Sequence, residues 1–352
     1  MNDNKYLSNV ISNQLKAGLP VVLTTIVSME GSTPRESGTK MVVDADGTIY
    51  GTIGGSLLEA TVITESGRVL AERRSKFIEF DLTGSDTASE DMICGGKAVV
   101  LLDYIPPTEE NWEIFNQMNE FISKGNNFYF LTGFTEFDNA VGIAGHCLLF
   151  SNGRQFGDNI LLETDLPGLR EELHNFSSTT VFPVSDKKII IDPIRKIKSL
   201  YCFGAGHVAL PTAHIAAMVG FRVIVIDDRE EFANKERFPE ASNIYVIEDF
   251  GHALESLDID TDSFIIILTR GHKYDRVVLE QALNTTASYI GMISSRTKRD
   301  AIYKTLIDKG VATAEDLKRV HSPIGLAIGG DTPEEIAVSI VAELIFEREK
   351  QT

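Results

Sequence analysis

The run "SLYCFGAGHVALPTAHIAAMVG", from Ser199 to Gly220, constrains the fold more tightly than any other stretch of the chain. An apolar strand ends in Gly204, Ala205 and Gly206, and a helix-forming segment follows. In such a turn the first glycine makes the bend, the second lets a pyrophosphate approach the backbone, and the small Ala209 lets the helix pack on a sheet. The alternation continues: "FRVIVIDDR" and "SFIIILTRGH" read as strands, "YDRVVLEQALN" as a helix and "SYIGMISS" as a further strand. Strands separated by helices require a parallel sheet covered on both faces. The expected fold class is therefore α/β, with a Rossmann-like doubly wound parallel sheet in the C-terminal part. Asp227 ends the next strand about 20 residues beyond the glycines, where a carboxylate meets ribose hydroxyls. Gly204, Gly206, His207 and Asp227 are thus the expected nucleotide-binding residues, and the acidic strand end favours NAD over its 2′-phosphorylated form. At the far end, Thr332 is the expected N-cap of a last helix, with Pro333 at its first position, Glu335 completing a capping box, and Ile336, Ile340, Ala342 and Leu344 facing the core.

A proline and three basic residues in "DPIRKIKSL" mark a boundary, dividing the chain into residues 1–197 and 198–352. The first part is a mixed α/β domain with a less regular pattern. "QLKAGLPVVLTTIVSMEGS" reads as helix, turn and strand, and "TKMVVDADGTIYGTIGG" as two strands joined by a hairpin in which Asp46 and Gly47 would take positive φ. "SLLEATVITESGRVLAERRS" has helical periodicity, "KFIEFDL" and "KAVVLLDY" are strands, and a helix over 109–124 leads to more strands.

A net charge of −18 with no basic block argues against nucleic acid as a partner. Cysteines at 94, 147 and 202 form neither a disulfide framework nor a C-x-x-C pair, which suits a reducing, cytoplasmic setting. No run of about 18 apolar residues could span a membrane. The histidines are scattered without zinc spacing, and "CGGK" lacks the first glycine of a phosphate-binding P-loop. Cys147 and Cys202, inside apolar strands, read as inert core thiols.

Two segments of the first domain invite a ligand. In "GSTPRESGTKMVVDADGTIYGTIGGSLLEA" a turn bearing Arg35 precedes the hairpin, and the hairpin ends in Gly54, Gly55 and Ser56 at a helix start; either exposed amides and a guanidinium there hold a phosphate or a pterin-like edge, or these are glycine turns with a solvated arginine. In "DMICGGKAVV", Cys94 stands before Gly95 and Gly96. The thiol is either a small core residue on a glycine turn, or a thiolate whose flexible neighbours let a ligand meet sulfur and backbone together.

Taken in order, "GSTPRESGTKMVV", "GTIGGSLLE", "ICGG", "FGAGHVA", "VIDDRE", "TRGHKYD", "YIGMISSR" and "SPIGLAIGGDTPEEIAVSI" resemble the XdhC/CoxI family, accessory proteins of molybdenum hydroxylases such as xanthine dehydrogenase. The sequence departs from that pattern at Ser56 and Leu57, where the family often has a third glycine and then a cysteine. The resemblance implies a chaperone that binds the molybdenum cofactor (molybdopterin), supports replacement of an oxo by a sulfido ligand, and delivers the product to the apo-hydroxylase. It implies two partners, a sulfur-supplying cysteine desulfurase and the molybdenum hydroxylase itself, and leaves self-association into a homo-oligomer open. It assigns Cys94 the metal-contacting and chemical role, because the family's "CGG" falls there. The competing function is an NAD-dependent oxidoreductase using the Rossmann domain, with His207 or His272 as acid or base.

Overall fold

The computed structural model describes residues 3–31, 36–81, 96–137, 140–173, 175–184 and 187–350. They form two compact units, one reaching to Lys196 and the other running from Ile197.

The first unit opens with α1 (Asp3–Lys16), β1 (Val21–Gly31), β2 (Lys40–Asp44) and β3 (Ile49–Gly51), followed by α2 (Ser56–Glu72), β4 (Lys76–Asp81) and β5 (Gly96–Ile105). It continues with α3 (Glu109–Ser123), β6 (Phe128–Phe137), β7 (Ala140–Leu149), β8 (Gln155–Gly157), α4 (Leu166–Leu173), β9 (Thr180–Val184) and β10 (Lys187–Ile194). Its strands make two antiparallel five-stranded sheets, ordered β3-β2-β1-β5-β4 and β8-β7-β6-β10-β9. Val27, Leu101, Phe134 and Ile190 pack together between them. Along α2, Leu58, Val62 and Val69 recur at helical spacing and so share one face, which lies on Val22, Val100 and Leu102. A buried ion pair, Lys40 Nζ to Asp192 Oδ2 at 2.6 Å, ties β2 to β10. The other oxygen of Asp192 accepts from Thr179 Oγ1 at 2.6 Å, so the buried carboxylate has a partner on each side.

The β2–β3 hairpin corrects the expectation of positive φ at both turn residues. Gly47 has φ 81, while Asp46 does not lie in that region. Instead Asp44 Oδ1 accepts from the amides of Asp46 (3.0 Å) and Thr48 (2.9 Å), so an aspartate side chain organises the turn.

The second unit comprises β11 (Ser199–Phe203), α5 (Ala209–Met218), β12 (Arg222–Asp227), β13 (Asn243–Val246), β14 (Ser263–Ile267), α6 (His272–Ala282), β15 (Tyr289–Met292), α7 (Arg296–Asp308), β16 (Val320–His321) and α8 (Pro333–Glu349). The sheet is parallel, ordered β13-β12-β11-β14-β15-β16. Every residue of β11 and β14 is buried, as strands covered on both faces require. Ala209, Ala213, Ile340 and Leu344 of α5 and α8 pack on Cys202 and Val225; Val278, Leu279, Ile302 and Leu306 of α6 and α7 pack on Phe203 and Ile265. Helix α8 starts as the sequence predicts, with the Thr332–Glu335 capping box and Pro333 inside it. Ala342 is only half-buried, and Ala337 and Val341 fill the core beside Ile340 instead. Cys147 and Cys202 are buried, and burial pushes the first thiol up to about 11 and the second higher still.

Candidate functional site

In the first unit, strand direction decides what can meet. Gly31 at the end of β1 lies opposite Gly96 at the start of β5. Asp81, ending β4, lies opposite Lys97, and Gly51, ending β3, lies opposite Met41 near the start of β2. The chain therefore leaves β1 toward Arg35, comes into β5 from Cys94 and Gly95, and passes from β3 to Gly54, Gly55 and Ser56, all at one end of one sheet. Gly96 itself is buried in the ladder. Arg35, Cys94 and Gly95 lie outside the described residues.

The turn before α2 requires its glycines, with φ 124 at Gly54 and φ 72 at Gly55. Its amides are not free as the sequence suggests. Those of Ile53 and Gly55 donate to Glu59 Oε2 at 3.1 and 3.2 Å, and that of Gly54 donates to Thr52 Oγ1 at 3.2 Å. The helix start does hold an anion, as its dipole dictates, but the anion is the chain's own carboxylate.

In the second unit the expected residues gather at the carboxyl ends of β11 and β12. Gly204 has φ 111, and a Cβ there would lie 2.3 Å from the Leu268 carbonyl oxygen, so only glycine fits. A Cβ on Gly206 would meet open space, the clearance that a close-lying ligand needs. His207 is exposed and precedes α5; it does not share that helix with His214, which pairs with Glu240.

Asp227 has a different task from the one the sequence suggests. Its side chain is 2% exposed and both oxygens are engaged. Oδ2 accepts from the Ala205 amide at 2.7 Å and from Arg229 Nη2 at 2.9 Å, while Oδ1 accepts from Arg229 Nε at 2.8 Å and from the Arg229 amide at 3.0 Å. Burial opposes the charge, yet the Arg229 guanidinium and the Ala205 amide hold the carboxyl below its ordinary range. Asp227 thus fixes the glycine turn. Its neighbour Asp228 accepts from Arg270 Nη2 at 2.6 Å through Oδ2, but its buried Oδ1 has no hydrogen-bond partner among the described residues. Burial and the adjacent Asp227 raise the Asp228 carboxyl against the pull of Arg270. Oδ1 is closed off from solvent and lies 3.7 Å from Arg229 Nε, so the two carboxylates at this strand end are held by Arg229 and Arg270 and neither offers an open acceptor. The switch point of the sheet lies one strand away, between β11 and β14, where α5 after β11 and α6 after β14 cover opposite faces and leave a crevice.

Beside this crevice, His272, Arg276, Ser295, Lys298 and Ile302 line a cleft of about 580 Å³ between α6 and α7. Below it Asp275 accepts from Thr269 Oγ1 at 2.5 Å, and burial pushes its carboxyl up to about 6. Among the described residues no group of three His, Cys, Asp or Glu side chains could hold a metal ion. Sequence reasoning missed Glu59 and Arg270, and weighed Asp228 and Arg229 only as charges at the strand end. The "DDR" and "TRGH" runs after two successive buried strands were the available signal.

Residues 200–344 match the XdhC Rossmann domain, and residues 14–81 match the XdhC and CoxI family, together more than half of the chain. The chain belongs to the XdhC/CoxI family. Among its relatives, the uncharacterized protein YqeB of Escherichia coli K12 is 30% identical over 93% of this chain, which spans only 43% of that longer protein. A Bacillus subtilis 168 protein described as a probable xanthine dehydrogenase component is 27% identical, over 94% of this chain and 93% of its own length. The molybdenum cofactor insertion chaperone PaoD of E. coli K12 is 20% identical, over 97% of this chain and 88% of its own. A crystal structure of a Bacillus halodurans protein described as a xanthine dehydrogenase superposes with a TM-score of 0.82 over all of this chain and 97% of its own; at 24% identity the likeness is one of fold.

Proposed function

We propose that this chain is a maturation chaperone of molybdenum hydroxylases, which binds the molybdenum cofactor as cargo, supports exchange of an oxo for a sulfido ligand, and passes the product to the apo-hydroxylase. Its XdhC/CoxI membership and a relative described as a molybdenum cofactor insertion chaperone support the maturation role. The observation that carries the reading is topological: the segments bearing Arg35 and Cys94 and the turn of Gly54 and Gly55 all leave the first sheet at the same end. Cargo whose metal arrives chelated by its pterin needs no three-ligand cage; it needs a soft donor and groups that hold an anion. Cys94 would supply the first, with Gly95 and Gly96 beside it, and Arg35 the second. An NAD-dependent oxidoreductase would need Asp227 for the ribose, and that carboxylate is engaged by Ala205 and Arg229. The partners in this reading are a cysteine desulfurase and the molybdenum hydroxylase, and the compartment is the cytoplasm. Among the described residues no helix is long and apolar enough to cross a membrane.

The test is to coexpress the chain with the cofactor's biosynthetic enzymes and purify it anaerobically. Molybdenum and oxidised-pterin fluorescence should co-purify in stoichiometric amounts. A folded preparation that contains neither overturns the proposal.

A further inference from the structure

At the opposite end of the first sheet, where β4 begins and β5 ends, a cleft of about 440 Å³ is bordered by Arg73, Arg74, Tyr104, His146 and Asp158. Three features set it apart from an ordinary surface hollow. Arg73, the C-cap of α2, has φ 55 and ψ 41 and is the one non-glycine residue with positive φ among the described residues. Glycine takes that conformation with least strain, so holding an arginine there points to a use for its side chain. Neither the Arg73 nor the Arg74 guanidinium has a hydrogen-bond or ion-pair partner among the described residues.

The third feature is the buried floor. His146 is 3% exposed, lies stacked on Phe130, and places Nε2 2.7 Å from Asp103 Oδ2. The other Asp103 oxygen accepts from Ser75 Oγ at 3.2 Å. Asp158, the acidic residue of the rim, has Oδ2 turned to the backbone, accepting from the His146 amide at 2.8 Å, and a Cβ on Gly145 would lie 2.5 Å from that oxygen. Asp103 is paired with His146, and Asp158 is drawn against β7 by the His146 amide, so two arginines stand against one carboxylate on the rim of the cleft. Val141 and Ile143 supply an apolar wall.

We propose that this cleft binds a small phosphomonoester dianion, with its phosphate between Arg73 and Arg74 and its organic part against Tyr104, Val141 and Ile143. Two planar guanidinium groups match the charge and fork geometry of a phosphate, and the apolar wall suits an attached carbon skeleton better than inorganic phosphate alone. The site is separate from the sheet end that carries the maturation reading, so either can fail without the other.

Phenyl phosphate is the probe, titrated calorimetrically into the full chain beside inorganic phosphate. It should bind saturably and more tightly than inorganic phosphate, and Arg73→Gly and Arg74→Glu should each weaken it at least tenfold. Arg73→Gly relieves the left-handed backbone, so its melting temperature should hold or rise and its loss of binding cannot be put down to unfolding. Lys124→Glu, a charge reversal on the exposed end of α3, should leave the affinity unchanged. No saturable binding, full affinity in the doubly substituted chain, or an equal loss in Lys124→Glu would each overturn the proposal.

Discussion

If Asp227 fixes the glycine turn, removing its carboxylate should be felt in stability before it is felt in any ligand. In Asp227→Ala the amide of Ala205, a fully buried residue, loses its acceptor, at about 1–3 kcal/mol. Arg229 loses both hydrogen bonds of its guanidinium; stripping one member from a buried pair costs about 3–5 kcal/mol, less here because Arg229 keeps 20% exposure, an ion pair to Asp228 at 3.7 Å and the face of Phe232. The two terms overlap, so we expect about 3–4 kcal/mol in all. Asp227→Asn keeps an oxygen for the Ala205 amide and should lose about half as much. The native carboxyl lies below its ordinary range, so its contribution is complete above the unfolded value of about 3.9 and fades as pH falls through the folded value. The gap between the native chain and Asp227→Asn should therefore be full at neutral pH and narrow in acid. Urea unfolding, followed through the transition of the second unit, measures all three chains. An Asp227→Ala chain within about 0.5 kcal/mol of the native one at neutral pH would refute the reasoning and return Asp227 to the ligand.

Gly204→Ala should lower stability by more than about 2 kcal/mol, through positive φ and contact with the Leu268 carbonyl, whereas Gly206→Ala should change it by less than about 1 kcal/mol; equal losses in thermal melting would refute the steric distinction. Cys94→Ser should melt as the native chain does yet retain no molybdenum and fail to activate the partner hydroxylase, and Arg35→Ala should reduce pterin retention at unchanged melting temperature. A Cys94→Ser chain that still activates its partner fully would remove the thiol from the mechanism.

What was legible in the sequence depends on how far apart the interacting residues lie. In the second unit β11, α5, β12, β14, α6, β15 and α8 could be read, because each announces itself within a short window and parallel pairing follows from the alternation, whereas the short strands β13 and β16 and helix α7 were not. The Thr332–Glu335 cap was legible for the same reason. In the first unit the strands could be seen but their partners could not. Nothing local says that Gly31 faces Gly96, so it was invisible that β1 ends and β5 begins at the same edge of the sheet. Side-chain roles misled even at short range. Asp44 took over the hairpin that a positive φ at Asp46 was expected to make, and Asp227 turned inward because Arg229, two residues on, could reach both its oxygens. Arg73 and Arg74 stand at the end of a run read only for its helical periodicity, and nothing in that run signals the left-handed backbone at Arg73.

Glu59 bears on how an anion would depart from the start of α2. An oxyanion reaching the amides of Ile53 and Gly55 does not fill empty space; it trades places with a carboxylate already hydrogen-bonded there. Such an exchange lowers the equilibrium affinity by the free energy of displacing Glu59, and it also speeds departure, because the returning carboxylate takes up each amide as the oxyanion lets go and no donor passes through an unpaired state. The dwell time of anything bound there is set by a side chain waiting one helical turn away.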